Sequence, residues 1–467
     1  MISKSTAQAV IAEALKTGGD FAELFAQDSD QLTFSMLDGR VENIGALRDH
    51  GAGVRILLGT QCVYAYANDT SLDALLDTAR QAAAALSVKA TGAKPLVFTQ
   101  RKTNNYSPIE IYPSDVTHKD KIGIMQTAHA GAKGTSAEVS QVIVRLVEID
   151  SRILIFNSEG IFANDRQLRT RFVVQAVASS GTEFQTGMQG PGYSMGFEVF
   201  KHKIDAAQCG RLAAEQSLTM LHAPECPAAY VPVVIDGGFG GVIFHEACGH
   251  ALESTSVSKG NSVFCNKLGQ QIAAPCVSAV DDGTLPNEWG TLNMDDEGNP
   301  THRNVLIENG ILKSYMIDKL GGRRMGMEPT GNARRQSYAF APTSRMTNTF
   351  IAPGKDDEQE MLTSMSEGLY AKAMGGGSVN PLTGEFNFSV LEGYWIKNGD
   401  IKPVRGATLI GKGADVLMKI DRVGKQMWLS AGVCGSISGN VPVCVGQPRI
   451  RVSGLTVGGK GGVCNGY

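Results

Sequence analysis

The chain has no apolar run long enough to cross a bilayer. Its most apolar long stretch, AAYVPVVIDGGFGGVIF, carries Asp236 and four clustered glycines, so it reads as a buried strand followed by a loop. It also lacks C-x-x-C pairs. The nine cysteines, among them Cys62, Cys209, Cys226, Cys248, Cys434 and Cys464, are odd in number and unlike a secreted disulfide framework, which predicts the reducing cytoplasm. Charge of one sign is missing too: 43 Lys and Arg against 46 Asp and Glu give a net charge of -3 and no footprint for nucleic acid or an anionic membrane. The opening MISKSTAQAVIAEALKTGGD has no continuous apolar core of the kind a signal peptide needs, and reads as a first helix.

What is present is length and glycine. A chain of 467 residues exceeds one ordinary core, and two domains are expected, residues 1–224 and 225–467, meeting at the proline-bearing APECPAAYVP. The 55 glycines imply many turns and a β-rich fold. The segment from Phe21 onward reads as a meander with turns at Asp38-Gly39 and Leu58-Gly59. Ser71 caps a helix, another is expected from about Ser114 to His129, and KIDAAQCGRLAAEQSLTMLHA is a third. Between them lie strands with turns near Asp150 and at Ser158 to Gly160. Later, Glu308-Asn309-Gly310 and Lys397-Asn398-Gly399-Asp400 mark hairpins, and EQEMLTSMSEGLYA reads as a helix. The expected class is α+β: an N-terminal sheet-and-helix domain, then a β-rich domain carrying the helix discussed next.

That helix holds FHEACGHALE, with His245 and His250 five apart and Glu246 between them. On a regular helix of about 100° per residue the two imidazoles would diverge by about 140° and could not share an ion. A π-bulge brings i and i+5 onto one face and occurs at functional sites, so the spacing predicts a distorted helix, with Gly249 easing the distortion. Glu246 then stands beside the metal as the base that takes a proton from metal-bound water. Catalytic zinc usually takes three protein ligands. Candidates for the third are Glu253, Cys248, Cys434 in a glycine-rich loop, and Cys444 in a strand; Cys248 is expected to pack, and the loop thiol is the freest to reach across a cleft.

Three other stretches bear on function. GGFGG, Gly237 to Gly241, lacks the Walker lysine and the full dinucleotide spacing and reads as a tight strand-to-helix turn. NMDDEGNPTHRN lacks the bidentate glutamate of a calcium loop and reads as a solvated turn before a hairpin. PTGNARRQSYAFAP gathers Asn332, Arg334, Arg335 and Tyr338, where guanidinium could hold a peptide carboxylate and the tyrosine an oxyanion. The histidines His50, His118, His129, His202, His222 and His302 form no ligand spacing.

FHEACGH, VSAVDDGTLP, DDEGNPTHRNVLIENGILKSYMIDKLGGRRMG, PTGNARRQSYAFAPTSRMTNTFIAPG, GGGSVNPLTGEFNFSV, KPVRGATLIGKG and VPVCVGQPRIRVSGLTVGG occur in this order across most of residues 225–460. Together with GAGVRILLGTQCVYAYAND they resemble the TldD/PmbA family, in its metal-motif-bearing TldD-like branch. The resemblance implies a C-terminal barrel-like domain holding zinc, with His245, His250 and Cys434 as ligands and Glu246 as the catalytic carboxylate. It further implies a dimer, with a second copy or a motif-less relative, enclosing a cavity for extended peptides. After Cys434 the chain departs from the family pattern: CGSISGN stands where a lysine and a glutamine usually follow. The reading is therefore a cytoplasmic zinc metallopeptidase acting on short or unfolded peptides, without nucleic acid or membrane partners. A peptide-binding protein with a structural metal and a hydrolase of non-peptide amides are the alternatives.

Overall fold

The computed structural model describes residues 2–86, 96–380 and 383–460. Its first sheet begins as the expected meander, β1 (Phe21–Leu37), β2 (Arg40–Leu58) and β3 (Gln61–Ala67). β4 (Val139–Asn157) and β5 (Ile161–Ser180) add antiparallel beside β1, and β6 (Glu183–Gln189) pairs on β5. Asp38 and Gly39 both take positive φ, 46° and 79°, as a two-residue hairpin demands. No turn occurs at Asp150. β4 runs through it, because its carboxylate meets Arg166 on β5 in a two-pronged ion pair that satisfies the charge within the sheet.

Alternation along β1 assigns the two faces. Ala22, Leu24 and Ala26 pack with helices Lys4–Ala14 and Leu72–Ala84, while Phe34 and Met36 pack with His118–Lys133 and Ala206–Leu221. Ser71, Thr117 and Asp205 cap three of these helices by accepting first-turn amide hydrogen bonds. The opposite face turns toward the rest of the chain: Phe25 clusters with Met294, and Gln27 accepts the Tyr338 amide.

The second half contains β7 (Ala229–Ile235), β8 (Ala279–Asp282), β9 (Arg303–Glu308), β10 (Asn348–Ile351), β11 (Glu367–Val379), β12 (Glu385–Lys397), β13 (Thr408–Lys412), β14 (Trp428–Ser436), β15 (Gly439–Gln447) and β16 (Ile450–Gly458). Strands β11, β7, β16, β13 and β12 pair in that order and close into a barrel through β11 and β12. Strands β9, β8, β10, β15 and β14 form a second sheet, in which β10 and β15 run parallel. One core joins them, with Phe244 and Leu252 of the metal helix packed among residues of both. The fold class is α+β, a helix-backed sheet followed by a β-rich, barrel-bearing part.

Both expected hairpins form, with Asn309-Gly310 and Asn398-Gly399 at positive φ. Two further readings need correction. EQEMLTSMSEGLYA is helical only over Glu358–Thr363, and from Glu367 it is β11, because pairing with both β7 and β12 overrides local helix propensity. NMDDEGNPTHRN is not solvated. Asp295 and Glu297 are buried, Glu297 against Arg55, and Asp295 accepts amide hydrogen bonds from Glu297, Asn299 and Ala333. No disulfide joins any two of the eight cysteines among the described residues, and Cys464 lies outside them. Among the described residues no helix is long and apolar enough to cross a membrane.

Candidate metal centre

β7 ends at Ile235, and the chain enters a helical segment that changes pitch: a tight turn at Gly238–Gly241, α-helix at Val242–Phe244, a π-turn at His245–Gly249 and another tight turn at His250–Leu252. The GGFGG stretch is the strand-to-helix turn expected of it. A Cβ on Gly241 would lie 2.4 Å from the Gly446 nitrogen, so this residue must be glycine for the segment to rest directly on β15. β15 pairs with β14, where Cys434 lies opposite Val441. Cys434 thus sits in a strand rather than in the loop suggested by its glycine neighbours.

The π-turn aims both imidazoles at that strand. His245 Nε2 is 3.2 Å and His250 Nε2 3.3 Å from Cys434 Sγ, and the rings stand nearly perpendicular at 86°. All three donor atoms lie within 4.8 Å of one another. A tetrahedral zinc with ordinary bonds would hold nitrogen and sulfur roughly 3.6 Å apart, so a small outward adjustment admits the ion. His245 and Cys434 are buried, and His245 Nδ1 is buried without a partner. Two imidazoles and a thiol are a zinc donor set, and among the described residues no fourth ligand joins them. Burial alone would raise the Cys434 thiol, but hydrogen bonds to His245 and His250 and their charges outweigh it and pull the thiol down to about 4. Burial disfavours the His250 imidazolium, yet Glu253 and Cys434 together lift it well above its ordinary value.

Glu246 is half-buried, with Oε2 3.7 Å from His250 Nε2. Glu253 reaches the other side of the same ring, Oε1 lying 3.3 Å from Nδ1, and so stands behind the imidazole instead of joining the cluster. Cys248 is buried with its thiol pushed up by burial, and Cys444 is buried near Trp289; neither reaches the imidazoles. The supports that sequence reasoning missed lie at 345–349. Arg345 donates to the Cys434 carbonyl at 2.5 Å and approaches Glu253 at 4.0 Å. Buried Asp281 anchors that stretch by accepting from the Thr347 amide and from the Thr347 and Thr349 hydroxyls. A conspicuous run of polar residues in a chain otherwise turning apolar, SRMTNT, was the available signal.

A small pocket of about 90 Å³ lies against Glu246 and His250. It shares Val379, Asn380, Lys412 and Asp415 with an adjoining groove of about 920 Å³. None of Asn332, Arg334, Arg335 and Tyr338 lines either. Asn332 is buried on Asp281, Arg335 is ion-paired to Glu23, Arg334 donates to the Met346 carbonyl, and Tyr338 meets Tyr66 edge-on. The structure therefore does not bring this loop to the metal pocket: Arg335 ties it to Glu23 of the first sheet, and Arg334 and Asn332 are buried against the second half.

Family profiles described as PmbA/TldA metallopeptidase domain 1, central domain and C-terminal domain match residues 22–86, 111–221 and 228–459. A metalloprotease TldD homolog of Haemophilus influenzae is 36% identical over 452 residues, 94% of this chain and 93% of its own. A metalloprotease of Methanothermobacter thermautotrophicus is 30% identical over 94% of this chain and 96% of its own. A zinc metalloprotease TldD homolog of Saccharolobus solfataricus is 34% identical over 50% of this chain and 52% of its own. Among solved structures, TldE from Thermococcus kodakarensis has the same fold at a TM-score of 0.76 and 16% identity, covering 97% of this chain and 99% of that one. Matches through all three segments, the last of which spans the histidines and the cysteine that converge, together with 36% identity over 94% of the chain, place it in the TldD/PmbA family of metallopeptidases.

Proposed function

We propose that the chain is a cytoplasmic zinc metallopeptidase that cuts short or unfolded peptides inside a cavity enclosed by a dimer. The observation that carries this is the meeting of His245, His250 and Cys434 beside a pocket containing Glu246. Bound by these three side chains, a zinc ion would polarise the scissile carbonyl and acidify the attacking water. Glu246 takes the proton from that water and delivers it to the leaving amine. Glu253 keeps the His250 ring in register by holding its Nδ1 side. Extended peptide suits the approach to the site: β11 pairs with β7 only over Leu369–Ala371, and among the described residues no strand covers that edge from Lys372 to Val379. A substrate backbone pairs there and leads its bond toward Glu246.

The domain boundary near residue 225, and a partner that is either a second copy or a motif-less relative, belong to the same reading. Glu246→Gln is the direct test. It should lower turnover of an internally quenched unstructured peptide by about 10²–10⁴-fold, the usual worth of a general base, with zinc content by elemental analysis unchanged. Undiminished turnover would overturn the assignment.

A further inference from the structure

We propose that the cavity between the first sheet and the β14–β15 hairpin is a second binding site, for a carboxylate. It measures about 320 Å³, at the lower end of small-molecule pockets, and shares no lining residue with the metal pocket. The proposal does not rest on the peptidase reading.

The sheet wall is polar where a buried face should be apolar. Gln27, Ser29 and Gln31 alternate along β1 and line the cavity, with Ser151 and Gln167 from β4 and β5. Gln167 Nε2 and Arg335 Nε are buried and without partners.

Two guanidinium groups also face the space, Arg169 at 4% and Arg334 at 3% exposure. The other arginines of this kind have carboxylate partners: Arg55 pairs with Glu23 and Glu297, Arg335, which also lines the cavity, pairs with Glu23, and Arg345 lies 4.0 Å from Glu253. Among the described residues Arg169 and Arg334 form no salt bridge. Arg169 donates to the Trp289 and Thr291 carbonyls and to Gln167 Oε1, and Arg334 to the Met346 carbonyl. Burial lowers both, Arg169 to about 10 and Arg334 to about 9, which is the signature of cations desolvated without an adequate counter-charge. Asp296 and half-exposed Asp49 are the acidic groups lining the cavity, and Asp296 acts mainly on Arg335; buried Asp165 stands near Arg169 and buried Asp281 near Arg334, neither forming an ion pair with them.

Two buried guanidinium groups without an ion pair, beside an unpartnered Gln167 amide, call for an anion, and planar forked donors suit a carboxylate. Phe25, Ile153 and Leu292 beside the glutamines give that ligand an apolar body. Either a small organic acid or the carboxyl end of a peptide has this chemistry.

The test is calorimetric titration of the full chain with N-acetylleucine, N-acetylleucinamide and a tetrapeptide bearing a free carboxyl end. The acid should bind and the amide should not. Arg334→Met and Arg169→Gln should each weaken binding at least about tenfold, the cost of losing one charge-assisted hydrogen bond. Chelating the metal should leave the affinity unchanged. Tighter binding of the tetrapeptide than of N-acetylleucine assigns the site to a peptide terminus, and the reverse order assigns it to a small acid. Equal binding of the amide, or binding that disappears with the metal, overturns the proposal. Should one variant fail to fold, the other variant and the acid-against-amide comparison on the unaltered chain still decide.

Discussion

Replacing Gly249 with alanine tests why the metal helix is able to distort where it does. The φ and ψ of Gly249 are -51° and -56°, ordinary helical values that alanine adopts readily, so backbone freedom is not what the position requires. Proximity is. A Cβ on Gly249 would lie 2.3 Å from Met346 Sδ and 3.1 Å from its Cε, and Met346 is fully buried. Overpacking of this kind costs about 1–3 kcal/mol. Because the strain falls beside His250, it should also weaken zinc binding. Met346→Ala alone leaves a cavity worth about 2–5 kcal/mol of stability, but it vacates the space the new methyl needs. The double variant should therefore be more stable than the sum of the two losses by at least about 1 kcal/mol, within the range for residues in contact. Urea unfolding of all four proteins measures the coupling, and competition with a chromophoric chelator measures zinc affinity. Strict additivity, or a Gly249→Ala protein with unaltered stability and zinc affinity, would refute the packing argument.

Glu253→Gln should keep the fold but lower zinc affinity about 10–100-fold, the usual effect of losing the partner that orients a ligand histidine, and the same chelator competition reads it; unchanged affinity would leave Glu253 without that role. Glu23 carries a pH signature. Burial raises its carboxyl, but Arg55 and Arg335 outweigh burial and hold it below 4.5, so its contribution is present above pH 4.5 and is lost as pH falls through the lowered folded-state value. Glu23→Gln should cost about 3–5 kcal/mol at neutral pH by leaving two buried guanidinium groups short of a partner, and the loss should shrink in acid. Unfolding curves of wild type and variant that stay parallel from pH 7 to pH 3 would contradict this.

What could be read from the sequence was the chemistry that acts locally. Asn-Gly and Asp-Gly pairs marked their hairpins because positive φ is a property of the residues themselves. The five-residue histidine spacing forced a choice between no shared ion and a π-turn, and His245–Gly249 is a π-turn. What could not be read was set by partners far along the chain. Glu297 is buried because Arg55 waits 242 residues earlier, and Asp150 can sit in mid-strand because Arg166 faces it. Glycine beside Cys434 suggested a loop, but pairing with β15 makes it strand, and no local propensity carries that information.

The same distinction explains how side chains 189 residues apart can converge reliably. Its two sides share supports that do not require the metal. The helix rests on β15 at Gly446, and β15 pairs with the strand carrying Cys434, so a single strand sets the distance between the imidazoles and the sulfur. Arg345 supplies a second tie. It is fully buried, donates to the Cys434, Ser438 and Gly439 groups at the tip of the β14–β15 hairpin, and stands near Glu253, which in turn faces His250. Holding carbonyls with one arginine and an imidazole with the neighbouring carboxylate places sulfur and nitrogen before an ion arrives. A zinc ion bound there would not have to order the chain, which is the condition for a site that keeps one position open for chemistry instead of closing around the metal to stabilise the fold.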